Sequence, residues 1–390
     1  MAEQKLLRSK NTLFIRLFYF LVFAVLCISF WIGKINSEPD LKPHIKEIIP
    51  SSDLITPDNG IYYVYDSQDN LLGWAASGES NGYGGPLIVI AAVDTSGIIL
   101  NSKIIQQKET PVFFRMVRSS DFLNSLINKN FDSADYDYND VVGITGATKT
   151  SDAIVESIKK AISEVTIKNF GKELPLPRKP FEFGSMEILI LLLFAAGISS
   201  IYIKHKITEW LRWMCQITSL IFIGFWENSP ITFTKISTFL MGYFPDLNTG
   251  IYWYILIGGF VITILLFGKS IYCTHVCPFR AAQRCIGIIG GSGFKLPQWA
   301  VITLNRSRNF FAFTALTAAL IFAQPGLASY EPFGAIFSLN GTFLQWFLLF
   351  VVLILSLIIR NPWCFFFCPM RTCERVLIVF RTKILSIINK

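Results

Sequence analysis

Six apolar runs punctuate the chain, at residues 13–33, 188–203, 211–226, 251–267, 310–322 and 343–359. Between the first two lies a long polar stretch with a different pattern. Apolar and polar residues alternate there at 61–65, 71–76, 87–94 and 98–105, with Gly, Asn and Asp between, which predicts strands and turns. A period near 3.6 predicts helices over 113–127 and 152–165, the second with Ile154, Ile158, Ala161 and Ile162 on one face. The Pro-rich segment 174–180 reads as a stiff linker closing this unit. Several apolar runs fall short of the ~20 residues of a straight span. The run 211–226, which contains Arg212, and the run 310–322 are the weakest. The expected fold class is an α+β domain inserted in an all-α membrane domain of six transmembrane helices. Its parts are a terminus (1–12), an anchor (13–33), the α+β domain with its linker (34–180) and a five-helix domain (181–390).

Composition reinforces the membrane class. The 390 residues are 52% hydrophobic and 16% charged, against roughly a quarter charged in soluble domains. The net charge of +8 does not point to nucleic acid, because the basic residues sit beside the apolar runs, where they act as topology signals. With the N-terminus inside, the loops expected to be cytoplasmic hold Lys204, Lys206, Lys269, Arg280, Arg284, Lys295, Arg306, Arg308, Arg360, Arg371, Arg375, Arg381 and Lys383. The two short outer connections, 227–250 and 323–341, hold only Lys235. The first run is long for a signal peptide and lacks a small-residue cleavage site, so it is expected to remain as an anchor. The α+β domain then stands outside the cytoplasmic membrane.

None of the eight cysteines lies in residues 34–180, and six form two local clusters, which suggests metal ligation rather than disulfides. They fall in a repeat: Gly250, 22 residues, then Cys273-xxx-Cys277-Pro278-x-Arg280, recurring as Gly341, 22 residues, then Cys364-xxx-Cys368-Pro369-x-Arg371. Each copy runs an apolar span into a cysteine motif at its expected cytoplasmic end, so both pairs should meet one membrane face. Thiolates suit iron–sulfur clusters or zinc. The flanking Trp363 and Phe365–Phe367 favour a desolvated redox centre. Either two clusters use three cysteines each, with Cys285 and Cys373 as the third ligands, or the repeat-equivalent four share one cluster. Cys285 and Cys373 are not at equivalent repeat positions, which leans towards sharing. His275 reads as a loop residue beside the site, and the lone Cys27 and Cys215 as small apolar residues. With only three histidines, a bis-His transmembrane haem is not expected.

The segment Asp140-Val-Val-Gly143-Ile-Thr145-Gly146-Ala147-Thr148-Lys149-Thr150-Ser151 opens the second helix of the α+β domain. A small-residue turn entering a helix N-terminus suits a phosphate, and equally suits a plain Thr/Ser cap. The segment resembles the flavinylation motif of the FMN-binding domain family. Tyr83-Gly84-Gly85-Pro86 and Glu109-Thr110-Pro111 resemble further parts of that domain, with Val112 where many members carry Gly. The resemblance implies FMN joined by a phosphoester to Thr148 through a dedicated flavin transferase. It implies a cradle drawn from Thr145, Gly146, Ala147, Thr150, Ser151, Tyr83, Gly85, Glu109 and Thr110. The paired Cys-x-x-x-Cys-Pro motifs resemble those of the NosR–NirI–PceC-type membrane flavoproteins, in the short form. That resemblance implies one or two [4Fe–4S] clusters. It also implies electron transfer across the membrane, from a cytoplasmic centre or membrane quinone to an extracytoplasmic respiratory reductase or its maturation. The chain then acts as an electron-transfer component rather than a stand-alone enzyme. The alternative is a membrane-bound regulator of respiratory genes. A hydrocarbon core of ~30 Å is expected to part the two cofactors, leaving a quinone or another protein to bridge them.

Overall fold

A computed structural model of the chain describes residues 2–36, 40–82, 84–109, 111–118, 122–127, 148–171, 181, 183–203 and 205–388. The α+β domain is built on five strands, β1 (Leu54–Asp58), β2 (Ile61–Tyr65), β3 (Leu71–Asn81), β4 (Pro86–Asp94) and β5 (Ile99–Gln107). They form an antiparallel meander in sequence order. Successive strand side chains point to opposite faces, and β4 buries both. Leu87, Val89, Ala91 and Val93 pack against Ile154, Ile158, Ala161 and Ile162 of the long helix α4 (Thr148–Phe170). Ile90 and Ala92 pack against Ile45, Ile48 and Ile49, at and just after the short helix α2 (Lys42–Ile48). The apolar face read in α4 is the one that docks. The helix itself starts earlier and ends later than its periodicity indicated, and Gly171 in the left-handed region (φ 65°) follows its last residue.

Two elements escape the sequence pattern because each is short. The first is α2, seven residues long with Pro43 in its first turn. The second is β1, a largely exposed edge strand containing Pro57. The helix expected over 113–127 is α3 (Pro111–Arg118) instead, and a single tight turn at Asn124–Leu126 follows.

The remaining helices are α1 (Ala2–Ile35), α5 (Ser185–Ser199), α6 (His205–Ser219), α7 (Phe233–Leu240), α8 (Leu247–Phe267), α9 (Pro278–Ile289), α10 (Gln298–Ile321), α11 (Phe333–Phe337), α12 (Phe343–Ile358), α13 (Pro362–Phe366) and α14 (Pro369–Ile388). Of these only α8 is long and apolar enough by itself to cross a membrane; Tyr19–Ile35, α5 and α12 are apolar but shorter. The run 211–226 is the end of α6 continued by a π-helical turn, Leu220–Trp226. The run 310–322 is the second half of α10, a helix of 24 residues. Phe310, Phe311, Phe343, Phe347, Phe350 and Ile354 are exposed along α10 and α12, an outward apolar surface that a water-soluble protein rarely shows. Where α1 passes α10, Gly33 lets the backbones touch, since a Cβ there would collide with the carbonyl of Leu320.

The cysteine motifs do not sit at the end of their helices, as the sequence suggested. After α8 and Gly268 (φ 68°) the chain turns back through a π-helical turn, Tyr272–Val276, before Cys277 and α9. After α12 and Asn361 (φ 50°) it turns back through α13 before Cys368 and α14. The depth follows from α9, which runs along α12. Phe279 packs with Leu349 and Val352 in mid-helix, whereas Gly287 and Gly290 lie against Ser356 and Leu357 at its end. From Gly290 back to Phe279 is about 17 Å of helix rise, so the start of α9 lies well back from the end of α12. Each motif is therefore the tip of a re-entrant arm.

The contact of α4 with β3 is made at Gly78, where any Cβ would collide with the carbonyl of Ser157. Gly78→Val is expected to lower the stability of this domain by about 1–3 kcal/mol, the usual cost of overpacking. Hydrogen exchange on the α4 amides of the full chain reads it, and unchanged protection would mean that α4 does not rest on β3 there.

Candidate functional site

Two sites are built on this frame. The first lies where the β3–β4 turn, the end of β5 and the start of α4 meet. Glu109 is fully buried, and its two oxygens divide the work. One accepts from Gly84 N (2.7 Å) and the other from Thr150 Oγ1 (3.1 Å). The carboxylate thus ties the turn to the first turn of α4, and Gly82 is small because a Cβ would strike it. Thr150 and Ser151 are buried beneath the helix start. The structure therefore gathers Gly85, Glu109, Thr150 and Ser151 round the α4 N-terminus, whose dipole suits an anion. A phosphate-bearing cofactor fits this cradle. Thr148 is the first residue of α4, with its side chain outside the described residues. Tyr83, Thr110, Thr145, Gly146 and Ala147 also lie outside them.

The second site is a cavity between the two re-entrant arms. Cys273 and Cys277 of the first arm and Cys364 and Cys368 of the second line it together. Cys285 and Cys373 do not line it. Cys285 is two turns along α9, and Cys373 packs near Phe233, Ala312 and Tyr330. Among the described residues no three His, Cys, Asp or Glu side chains converge on a single ion. All four thiols border the same cavity, and thiolates are ligands for iron–sulfur clusters as well as for zinc. Arg280 and Arg371, read from sequence as loop charges, also line the cavity. They are repeat equivalents in the first turns of α9 and α14, helices that begin with Pro278 and Pro369 directly after a cysteine. Two cations, offset in part by Glu374 on the same lining, and two helix N-termini suit the negative charge of a cluster held by four thiolates.

Irregular backbone inside a helical bundle needs protein partners for its polar groups, and those partners identify residues that sequence reasoning missed. On the first arm, Gln216 Nε2 donates to Thr274 O (2.9 Å) and the Ser219 hydroxyl to Val276 O. The His275 ring is held between Ser200 Oγ and Thr274 Oγ1, away from the cavity lining. On the second arm, Arg308 Nη1 donates to Phe365 O (2.7 Å) and Tyr330 OH to Phe367 O (3.1 Å). Arg308 is thus a fully buried support rather than a loop charge. Gln283 joins the copies. From α9 it accepts from Trp363 N (2.9 Å) and turns its amide towards Cys364 Sγ (3.5 Å).

The connection 227–250 reaches both sites. Ile231 lines the cysteine cavity, and its N–H donates to the hydroxyl of Tyr272, the neighbour of Cys273. From there α7 rises to the cradle, where the Thr238 hydroxyl is shared between Gly84 O (2.9 Å) and Thr234 O of its own helix (2.8 Å). Asn81 Nδ2 donates to Phe244 O (3.0 Å), and Lys108 binds the Tyr243 hydroxyl. Lys235, read as an outer-loop charge, is buried with its Nζ 4.5 Å from the Trp253 ring centre. Burial pulls its ammonium below the usual lysine range, the Glu109 carboxylate pushes against that fall, and Lys149 on α4 adds to it. The foot of α7 is held by Glu331, whose carboxylate oxygens accept from Phe233 N at 2.8 and 3.0 Å.

Comparison with known proteins finds a family match for each region. Residues 82–163 match the FMN-binding domain family, and residues 249–297 and 340–384 match the 4Fe-4S binding domain family, one match for each copy of the repeat. One component of the proton-translocating ferredoxin:NAD(+) oxidoreductase complex of Clostridium ljungdahlii is 26% identical over 116 residues, 28% of this chain and 63% of that protein. The regulatory protein NosR of Stutzerimonas stutzeri is 22% identical over 214 residues, 50% of this chain and 29% of that protein. A component of the ion-translocating oxidoreductase complex of Vibrio vulnificus is 28% identical over 94 residues, 22% of this chain and 44% of that protein. The chain thus spans less than two thirds of the length of each of these relatives. One chain thus combines a stretch similar to FMN-binding domains with a repeat similar to 4Fe-4S binding domains. In that combination it resembles the FMN-binding membrane flavoproteins of NosR/PceC type.

Removing the Glu331 carboxylate leaves a buried N–H without its partner, a loss of about 1–3 kcal/mol. Glu331→Ala is expected to speed amide exchange across 233–240 at least tenfold, while Glu331→Gln keeps an acceptor and most of the protection. Equal protection in both variants would show that the carboxylate does not hold α7.

Proposed function

We propose that this protein is a six-pass carrier moving electrons through the cytoplasmic membrane towards an extracytoplasmic respiratory reductase or its maturation. The observation that carries the reading is the meeting of four repeat-equivalent thiols at one cavity, in the same chain as an FMN-binding domain. In this reading Cys273, Cys277, Cys364 and Cys368 hold a single [4Fe–4S] cluster. Arg280 and Arg371 balance its charge. Thr148 carries FMN through its phosphate, attached by a flavin transferase, with Glu109 and Thr150 fixing the cradle. When bound, the cluster passes electrons singly and the flavin stores two. A covalent link suits a site outside the cytoplasm, where no FMN pool replaces a lost cofactor. Membrane quinol is the donor we favour.

Support for six crossings comes from alternating helix direction. The α7 connection and the strand domain set one side; Gly268, Gly290 and Ile358 mark the other. Arg381 on α14 binds the carbonyls of Leu265 and Leu266 on that far side, where a positive-inside bias would place the cytoplasm. The rival reading, a membrane-bound regulator, is favoured by the description of the NosR relatives as regulatory proteins. Quinol-dependent reduction of the flavin in purified protein separates the two, because a regulator needs no such turnover.

Two measurements check the cofactor assignments. Mass spectrometry of the tryptic peptide 130–149 from cells expressing a flavin transferase is expected to show an FMN adduct, absent in Thr148→Ala. An unmodified wild-type peptide would remove the flavin from the scheme. Anaerobically purified protein is expected to hold about four irons per chain. Cys→Ser at 273, 277, 364 or 368 should abolish the bound iron, and Cys285→Ser should retain it. Loss of iron in Cys285→Ser would restore the two-cluster arrangement.

A further inference from the structure

The two sites are not separated by a bilayer. Ile231, at the foot of α7, lines the cysteine cavity, and Thr238, in its last turns, binds Gly84 of the flavin cradle. Seven residues part them, two steps of extended chain and five of helix, which is about 14 Å of rise. The cavity is brought towards α7 by the re-entrant arms, and α7 is brought down towards it by the buried Glu331 carboxylate. Between the sites the path is packed protein. Phe233 and Ile236 lie against the Cys373 region, and Lys235 lies against Trp253. Tunnelling falls exponentially with separation, so a gap of this order permits direct transfer where a ~30 Å core would not.

We infer that α7 is an internal bridge, across which the cysteine-held centre and the flavin exchange electrons directly within one chain, with no haem, quinone or second protein between them. The inference rests on the proposed function and adds the route. Each transfer oxidises the reduced cluster by one electron and reduces the flavin by one. Two transfers, with protons drawn from water at the cradle, complete flavin reduction. One quinol, oxidised to quinone with release of two protons, refills the cluster twice. Quinol is then a donor to the cluster rather than a shuttle between the sites. Lys235 is a positioning residue on this path. Its buried ammonium stands on the bridge near Glu109, where it favours negative charge arriving on either side.

The test uses the full chain in detergent, depleted of quinone, with iron and flavin content measured first. A flash-activated one-electron photoreductant reduces the cluster, and flavin absorbance is followed. We expect flavin bleaching as a first-order phase whose rate does not change with protein concentration and needs no quinone. Cys277→Ser, retaining FMN but no cluster, should lose that phase. Lys235→Met should slow it at least tenfold and lower the flavin midpoint potential, with Lys235→Arg restoring both. Protein loaded with both cofactors whose flavin is reduced only after quinone is added, or at a concentration-dependent rate, would overturn the bridge and leave the proposed function standing. Failure to load either cofactor would overturn both. The docking of α7 has a readout that needs no cofactor. Asn81→Cys with Phe244→Cys should be joined by a short thiol-specific cross-linker, and absence of that product would also overturn the bridge.

Discussion

Everything at the cysteine cavity depends on keeping non-helical backbone inside a helical bundle. A peptide group that leaves a helix in apolar surroundings loses both its helical partner and water, at a cost of several kcal/mol if nothing replaces them. Here the replacements are side chains from neighbouring helices: Gln216 and Ser219 for the first arm, Arg308, Tyr330 and Gln283 for the second. These residues make no use of the thiols' chemistry, yet they set the thiols' depth. Without them the carbonyls of both arms would lose their partners, and with them the packing that brings the four cysteines to one cavity.

The same economy of partners explains α7. Its first amide is met by Glu331 and its N-cap is Thr232, while its last turn is received by the flavin cradle through Thr238. An eight-residue helix has little stability alone. It is ordered by what it touches at both ends, so its position reports on both sites at once. Glu109 plays the corresponding part in the strand domain, joining the β3–β4 turn to α4 with one buried carboxylate. Three buried ionisable groups (Glu109, Glu331 and Lys235) thus lie along the line from cradle to cavity.

The strand domain was the most legible part of the sequence. The expected strand 61–65 matches β2, and the other three lie within a residue or so of an end of β3, β4 and β5, because a two-residue period survives in any strand with a buried face. The docking face of α4 was legible for the same reason. The edges of α3 and the presence of α2 and β1 were not, since five to eight residues carry too few periods to register. In the helical part, the apolar runs located α1, α5, α6, α8, α10 and α12 but not α7, α9, α11, α13 or α14, and charge was misread. Arg280, Arg308, Arg371 and Lys235 looked like loop charges and are turned inward. The repeat held a signal for two of them, because Arg280 and Arg371 follow the two cysteine motifs at the same spacing.

The sequence alone determined which residue types are present at which spacing: a period-two sheet, an amphipathic closing helix, and two copies of a cysteine–proline–arginine motif. Those are local properties, fixed by neighbours along the chain. Which four of six cysteines share a cavity, how deep that cavity lies, and that a connection read as outer surface joins it to the flavin cradle were decided only by the tertiary structure. Each rests on contacts between residues far apart in sequence, such as Ile231 with Tyr272, Thr238 with Gly84 and Gln283 with Trp363. Such contacts leave no period in the chain, because their geometry is set by the packing of helices rather than by the residues next to them.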